Sequence, residues 1–163
     1  MVFSSLIFLF LFLPVVLVCY YLSGNRFRNY ILLGASLFFY AWGEPRYIYL
    51  MLFSIVINYF IGLKMDVNSK SNKKLLLLIS IIFNLSILII FKYADFLFGV
   101  KGICLPLGIS FYTFQIMSYV IDVYRKDAEV QRNIFDLALY VSLFPQLVAG
   151  PIVRYQTVVE QIS

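Results

Sequence analysis

The chain is a succession of long apolar runs separated by short polar breaks. Runs of this length are typical of helices that cross a bilayer, which needs roughly 20 apolar residues per crossing. We predict crossings over residues 3–22, 30–42, 47–63, 75–90 and 105–124, and an interrupted apolar stretch over 134–153. The predicted fold is all-α: one membrane domain over 1–163, a polytopic transmembrane helical bundle with about five crossings and a broken or re-entrant C-terminal segment.

Prolines, a short run and one mixed segment modify the predicted helices. Pro14 is expected to kink the first run, and Pro45 to end one helix and begin the next. The run 30–42 is short, because at 1.5 Å per residue it gives about 20 Å against a hydrocarbon core of roughly 30 Å. Residues 91–98 mix aromatic and charged side chains, which indicates a segment lying in the membrane interface.

Composition excludes a soluble domain. Hydrophobic residues make up 63% of the chain, charged residues 13%, and the mean hydropathy is +0.92. Soluble domains are about 45–50% apolar and about 25% charged. The net charge of +5 comes from basic residues placed between the apolar runs, so it reports membrane topology, and we expect no nucleic-acid partner.

The basic residues are distributed unequally between alternate loops. One side of the membrane would carry most of them: Arg26, Arg28, Lys64, Lys70, Lys73, Lys74, Arg125, Lys126 and Arg132. The other side would carry Arg46, Lys92 and Lys101. Since Lys and Arg are enriched in cytoplasmic loops, the first set predicts the cytoplasmic face and an extracytoplasmic N-terminus. This orientation depends on the short second run crossing fully.

Isolated polar residues and cysteines have simple explanations. Asn58 and Asn84 lie inside two apolar runs, where we favour an interhelical hydrogen bond over a role in a transport pathway. Cys19 and Cys104 lack metal-ligand spacing and fall on opposite faces in this topology. A disulfide needs Cα atoms within about 7 Å, so we predict two free thiols.

The fifth run carries the first group of candidate functional residues. Gln115, Ser118 and Asp122 follow helical spacing, with Phe111 and Tyr119 beside them. Polar groups are costly in hydrocarbon, so this face should look into the bundle or a watery cavity. The alternative is an ordinary bundle interface in which Asp122 pairs with one of the basic residues that follow it, Arg125 or Lys126.

The second group lies in the interrupted stretch near the C-terminus. Pro145, Gly150 and Pro151 are incompatible with one regular helix. Freed backbone groups at membrane depth must be buried in protein or line a water-filled cavity, so we expect irregular backbone over 145–151 that packs against the fifth run. The alternative is a kinked helix whose Arg154 extends to the headgroups.

Two sequence blocks in these segments carry a family resemblance. The first is Pro106-Leu107-Gly108-Ile109-Ser110-Phe111-Tyr112-Thr113-Phe114-Gln115, and the second is Phe144-Pro145-Gln146-Leu147-Val148-Ala149-Gly150-Pro151-Ile152-Val153-Arg154. Both resemble the membrane-bound O-acyltransferases, in the branch related to alginate O-acetyltransferase. Residues 2–5 and 36–42 also resemble the start of those proteins. The resemblance covers essentially the whole chain.

The resemblance implies an enzyme of the plasma (inner) membrane. It would move an acyl group, usually acetyl, from acetyl-CoA or an acyl carrier to a hydroxyl of an exported polysaccharide, through a tunnel ringed by helices. It also implies an extracytoplasmic acetylation partner protein, and no bound cofactor or metal. The candidates for the substrate path are Tyr112, Gln115, Ser118, Asp122, Gln146 and Arg154.

The sequence departs from the family pattern at the catalytic residue. Family members use a buried histidine as the base, and this chain contains none. We therefore expect it to be the N-terminal portion of a longer enzyme, without a catalytic residue of its own and inactive alone. Asp122, the one acid deep in an apolar run, fits an ion pair or a substrate contact better than a base. The alternative functions are a transporter subunit and an assembly subunit without activity.

Overall fold

A computed structural model describes residues 6–43, 45–66, 72–98, 108–149 and 155. All regular structure in these ranges is helical, as the sequence predicts. The elements are a π-helical turn Phe8–Phe12 and the α-helices α1 Leu13–Leu22, α2 Asn25–Gly43, α3 Ile48–Lys64, α4 Lys73–Phe98, α5 Ile109–Arg125, α6 Ile134–Ser142 and α7 Phe144–Ala149.

The first apolar run contains a helix irregularity next to its proline. Pro14 has no N–H, so the carbonyl one turn before it loses its helical partner. The structure has a π-helical turn there, closed by a bond from the Leu13 N–H to the Phe8 carbonyl. At the other end, the Ser23 hydroxyl donates to the Cys19 carbonyl at 2.7 Å and closes α1. Cys19 is a free thiol, whereas Cys104 lies outside the described residues.

Two helices are longer than the sequence predicts. α2 begins at Asn25 and has 19 residues, which give about 28 Å of helix, but its first turn is polar and α2 is not among the apolar helices found in the described residues. α4 has 26 residues and continues through Phe98, so 91–98 forms the last turns of α4. Charged residues at helix ends do not stop helix formation, and apolar periodicity alone cannot locate such ends.

A buried polar network joins α3 to α4. The Asn84 Nδ2 donates to Asn58 Oδ1 at 2.9 Å, and the Ser80 hydroxyl donates to the same oxygen at 2.6 Å. The Ser54 hydroxyl donates to Asn84 Oδ1 at 3.2 Å. This confirms the predicted interhelical role of the two asparagines, and it fixes the register of α3 against α4, because a shift of one residue would separate the pair.

The start of α5 depends on a glycine. Gly108 adopts φ +72°, a left-handed conformation that residues with a Cβ adopt at a cost. A Cβ at this position would also lie 3.3 Å from the Leu147 side chain and from its carbonyl oxygen. Gly108 therefore permits the left-handed residue before α5 and the close approach of Leu147 in α7.

The C-terminal apolar stretch is broken, but at another residue than expected. α6 ends at Ser142, Leu143 is non-helical at φ −54° and ψ 112°, and α7 begins at Phe144. Pro145 could not donate to the Val141 carbonyl and its ring would clash there, so α6 cannot continue through it. Pro145 is tolerated in the first turn of α7, where N–H groups have no helical partner. The prediction of irregular backbone is wrong for 145–149, and 150–151 lie outside the described residues.

The helices pack as a bundle with an apolar perimeter. α5 packs against α3 and α4, and α2 packs against α6 and α7. Large apolar side chains remain exposed on the outer faces of the π-helical turn and of α1 to α4, among them Phe10, Leu22, Tyr49, Phe53 and Ile82. Exposed apolar surface on this scale is expected where hydrocarbon is the solvent.

One helix in the described residues is long and apolar enough to cross a membrane. It covers Lys73–Tyr93, with a mean hydropathy of 2.6, and most of its residues are not buried inside the bundle. Three shorter apolar helices cover Phe10–Leu22, Ile48–Lys64 and Ile134–Leu147. A mostly exposed helix of this hydropathy is unlike the core helix of a soluble protein, so the structure agrees with a membrane protein.

Candidate substrate path

The candidate site follows the buried face of α5. Tyr112, Gln115 and Asp122 are at most 9% exposed, and Ser118 between them is half-buried. Their spacing of three and four residues places them along one stripe of the helix. The polar face predicted from sequence therefore points into the protein and not to the perimeter. It forms a row of polar side chains over about 15 Å of helix length.

Gln115 connects α5 to the second motif segment. Its Nε2 donates a hydrogen bond to the Oε1 of Gln146, in the short helix α7. The Gln115 Oε1 is buried and has no hydrogen-bond partner among the described residues. The two motif segments thus pack together, as we predicted, but they meet through their glutamine side chains and not through freed backbone groups of 145–149. The arrangement leaves one amide oxygen able to accept a further hydrogen bond.

A second contact joins α5 to α6 near the other end of the row. The Tyr140 hydroxyl is within hydrogen-bonding reach of the Ser118 side chain and within electrostatic range of Asp122. Tyr140 is fully buried in α6. Asp122 also closes the end of α5, because its backbone carbonyl accepts from the Asp127 N–H at 2.9 Å and from the Ala128 N–H at 3.3 Å.

Other buried polar atoms near α5 are not satisfied by the described residues. The Tyr112 hydroxyl and the Ser142 hydroxyl are completely buried and have no hydrogen-bond partner there. The Tyr112 ring packs edge-on against Tyr40 of α2, with ring centroids 6.5 Å apart. An unpaired buried polar group costs about 1–3 kcal/mol. Such groups are expected to meet water, substrate or another part of the protein.

The sequence analysis missed a buried tyrosine cluster beside this row. Tyr119, Tyr140 and Tyr155 are at most 2% exposed, and the Tyr155 ring lies 4.8 Å from that of Tyr119 and 5.2 Å from that of Tyr140. The Tyr119 hydroxyl accepts from the Gln131 N–H at 3.3 Å. Gly62 makes room for it, because a Cβ there would lie 2.6 Å from the Tyr119 hydroxyl. These partners are far apart in sequence, and no local pattern pointed to them.

The charged residues near the site were the remaining part of the prediction. Arg125 forms an ion pair with Asp127, at 3.1 Å between Nε and Oδ2. For Asp122, one of the sequence alternatives was a pair with Arg125 or Lys126, and Arg125 pairs with Asp127. Arg154, the last candidate, lies outside the described residues. The structure therefore brings together five of the candidates along α5 and α7, including Tyr112, Gln115 and Gln146.

Comparison with known proteins supports the resemblance seen in the motifs. The whole chain aligns with a probable alginate O-acetylase, AlgI, of Pseudomonas aeruginosa at 44% identity and with that of Pseudomonas syringae pv. tomato at 45%. It also aligns in full with a peptidoglycan O-acetyltransferase of Helicobacter pylori at 33% identity. The chain spans 35% of the length of each alginate O-acetylase and 39% of the Helicobacter protein. No family model and no solved structure matches.

These relatives define the class of protein. The chain is a homologue of an alginate O-acetylase and of a peptidoglycan O-acetyltransferase, and its exposed apolar helix Lys73–Tyr93 agrees with a membrane protein. Within that class the chain is similar along its whole length to the alginate O-acetylases, in agreement with the resemblance of blocks 106–115 and 144–154 to the alginate O-acetyltransferase branch of the membrane-bound O-acyltransferases. It corresponds to about a third of the length of those relatives.

Proposed function

We propose that this chain is the N-terminal portion of a membrane O-acyltransferase that moves an acetyl group to a hydroxyl of an exported or cell-surface polysaccharide. The observation that carries the proposal is the 44% identity to an alginate O-acetylase over the full chain. A buried row of polar side chains supports it, since intramembrane polar groups are retained where substrates or protons pass. The relatives do not favour a transporter or an assembly subunit.

Within this proposal the α5 row forms one wall of the substrate path. Tyr112, Gln115 and Ser118 of α5 and Gln146 of α7 supply neutral donors and acceptors, which suit hydroxyl groups and a thioester or ester carbonyl. Asp122 marks the charged end of the path. Arg154 completes the set as a candidate for binding an anionic group of donor or polymer.

The reaction needs a base that this chain does not supply. The acceptor oxygen forms a bond to the acetyl carbon, the carbon–sulfur bond of the donor thioester breaks, and the acceptor proton ends on the donor thiol. The chain has no histidine, so the base would come from residues outside these 163. The residues of this chain would bind and orient the reactants, and the chain alone should show no turnover.

The membrane arrangement belongs to the same proposal. The protein would lie in the plasma (inner) membrane. Five crossings would place its N-terminus outside the cell and the connector 125–133 in the cytoplasm. The donor, acetyl-CoA or an acyl carrier, would then approach from the Asp122 end of α5. The polymer, and an extracytoplasmic acetylation partner, would approach from the Gly108 end.

A chimera tests the proposal. In the chimera, this chain would replace the segment that it matches in the Pseudomonas aeruginosa alginate O-acetylase. The chimera would be expressed in cells that lack the native gene, and the acetate bound to their alginate would be measured. We expect acetylation to be restored, and Gln115→Leu to lower it at least about tenfold, since a lost interaction of about 1.4 kcal/mol corresponds to that factor. The control is Phe114→Leu, at an exposed position of the same helix. Equal acetylation by the Gln115→Leu and Phe114→Leu chimeras would contradict the path.

A further inference from the structure

A separate cavity lies at the charged end of the bundle. Its volume is about 370 Å³, and none of the six candidate path residues lines it. It is bounded by the end of α3, the start of α4, the end of α5 and the connector that follows α5. The lining residues are Met65, Asp66, Lys73, Val123, Lys126, Asp127, Ala128, Glu129, Val130 and Arg132.

The connector that forms one wall of this cavity is held in place. The Tyr59 hydroxyl of α3 donates to the Arg132 carbonyl at 2.6 Å. The Arg132 guanidinium lies 3.8 Å from the Asp66 carboxylate. Asn133 then caps α6, because its Oδ1 accepts from the Phe135 N–H at 3.1 Å and its Nδ2 donates to Asp136. The cavity is therefore part of the fold.

The lining combines an apolar floor with charges of both signs. Met65 and Val123 are nearly inaccessible to solvent and form the floor. Among the charged lining residues, Lys73, Lys126 and Glu129 make no ion pair within the described part of the chain. Two cations and one carboxylate are thus available to a ligand that would rest on an apolar surface.

We propose that this cavity binds the headgroup of an ethanolamine phospholipid. In the membrane arrangement proposed above, on which this inference rests, the charged ends of the three helices lie at the membrane–water interface, where headgroups are the neighbouring molecules. Lys73 and Lys126 would bind the phosphate, which also lies near the partial positive charge at the start of α4. Glu129 would accept hydrogen bonds from the primary ammonium, and the glycerol backbone would contact Met65 and Val123.

The charges of the lining distinguish this lipid from others. A purely anionic headgroup would place its charge near Asp127 and Glu129 without an ammonium to offset them. A choline headgroup has the phosphate, but its quaternary ammonium has no N–H to donate to a carboxylate. An ethanolamine headgroup satisfies both the cations and the carboxylate. The proposal is independent of acyl transfer.

Native mass spectrometry of the full chain in detergent tests the proposal. The probes are phosphatidylethanolamine, phosphatidylcholine and phosphatidylglycerol with identical acyl chains. We expect the ethanolamine lipid to bind about tenfold more tightly than the other two, since charged hydrogen bonds contribute on that scale. Equal binding of the three lipids, or tightest binding of phosphatidylglycerol, would overturn the proposal.

Variants that each remove one charge test the binding of the ammonium and of the phosphate separately. Glu129→Gln should abolish the preference for the ethanolamine lipid over the choline lipid. Lys126→Gln should weaken the binding of all three lipids by about tenfold. Both side chains are exposed, so folding should be unaffected. The control Lys74→Gln removes the same charge next to the cavity but outside its lining, and should change nothing. Retained ethanolamine preference in Glu129→Gln refutes the assignment. Displacement of the lipid by equimolar glycerophosphoethanolamine would assign the site to a soluble ligand instead.

Discussion

The polar network between α3 and α4 allows a quantitative prediction. Asn58→Leu removes three interhelical hydrogen bonds: those donated by Ser80 and by Asn84 to Asn58 Oδ1, and the one from Asn58 Nδ2 to Asn84 at 3.3 Å. Asn84→Leu also removes three, because it loses the bond from Ser54 and both bonds shared with Asn58. Two of the bonds are common to both substitutions.

The shared bonds determine the expected energies. Interhelical hydrogen bonds in membrane proteins contribute about 0.6 kcal/mol each on average, so each single variant should lose about 1.8 kcal/mol of unfolding free energy. The double variant removes four different bonds, which is about 2.4 kcal/mol, whereas independent effects would add to about 3.6 kcal/mol. We therefore expect a coupling free energy of about 1.2 kcal/mol between Asn58 and Asn84.

Unfolding of the detergent-solubilised chain by denaturant, followed by circular dichroism, measures this coupling. The control is Ser86→Ala, which removes an exposed bond within α4, from the Ser86 hydroxyl to the Ile82 carbonyl at 2.6 Å, and should have little effect. A double variant that loses the full sum of the single losses would refute the reasoning, as would single variants no less stable than Ser86→Ala. The first result would mean that the two asparagines do not bond to each other, and the second that they do not hold α3 and α4 together.

Two further predictions concern packing and topology. Gly62→Ala should lose about 1–3 kcal/mol of unfolding free energy, because the new methyl group would overlap the buried Tyr119 hydroxyl. In the matched control Gly34→Ala, the new methyl group would meet open space, and the unfolding free energy should rise by up to about 1 kcal/mol. Equal effects of the two substitutions in thermal unfolding would contradict the packing of Gly62 against Tyr119. Cysteines introduced over 64–74 should resist impermeant thiol reagents in intact cells, and ready labelling from outside would refute a cytoplasmic loop.

The sequence determined the helical class, the membrane environment and the family. Long apolar runs and a low charge content decide these features without knowledge of packing, because each run must satisfy its own backbone in hydrocarbon. The sequence also predicted that Asn58 and Asn84 bond between helices, and that polar residues on α5 face inward. These are local arguments, since an unpaired polar group in an apolar run has few alternatives.

The tertiary structure decided which residues meet. That Gln115 bonds to Gln146, that Tyr119 fits against Gly62, and that Tyr140 reaches Ser118 and Asp122 depend on how α3, α5, α6 and α7 cross. Periodicity gives the face of a helix but neither its partner nor its depth. The helix break at Leu143 and the extension of α4 to Phe98 were missed for a related reason: helix ends depend on which carbonyls the neighbouring backbone can satisfy.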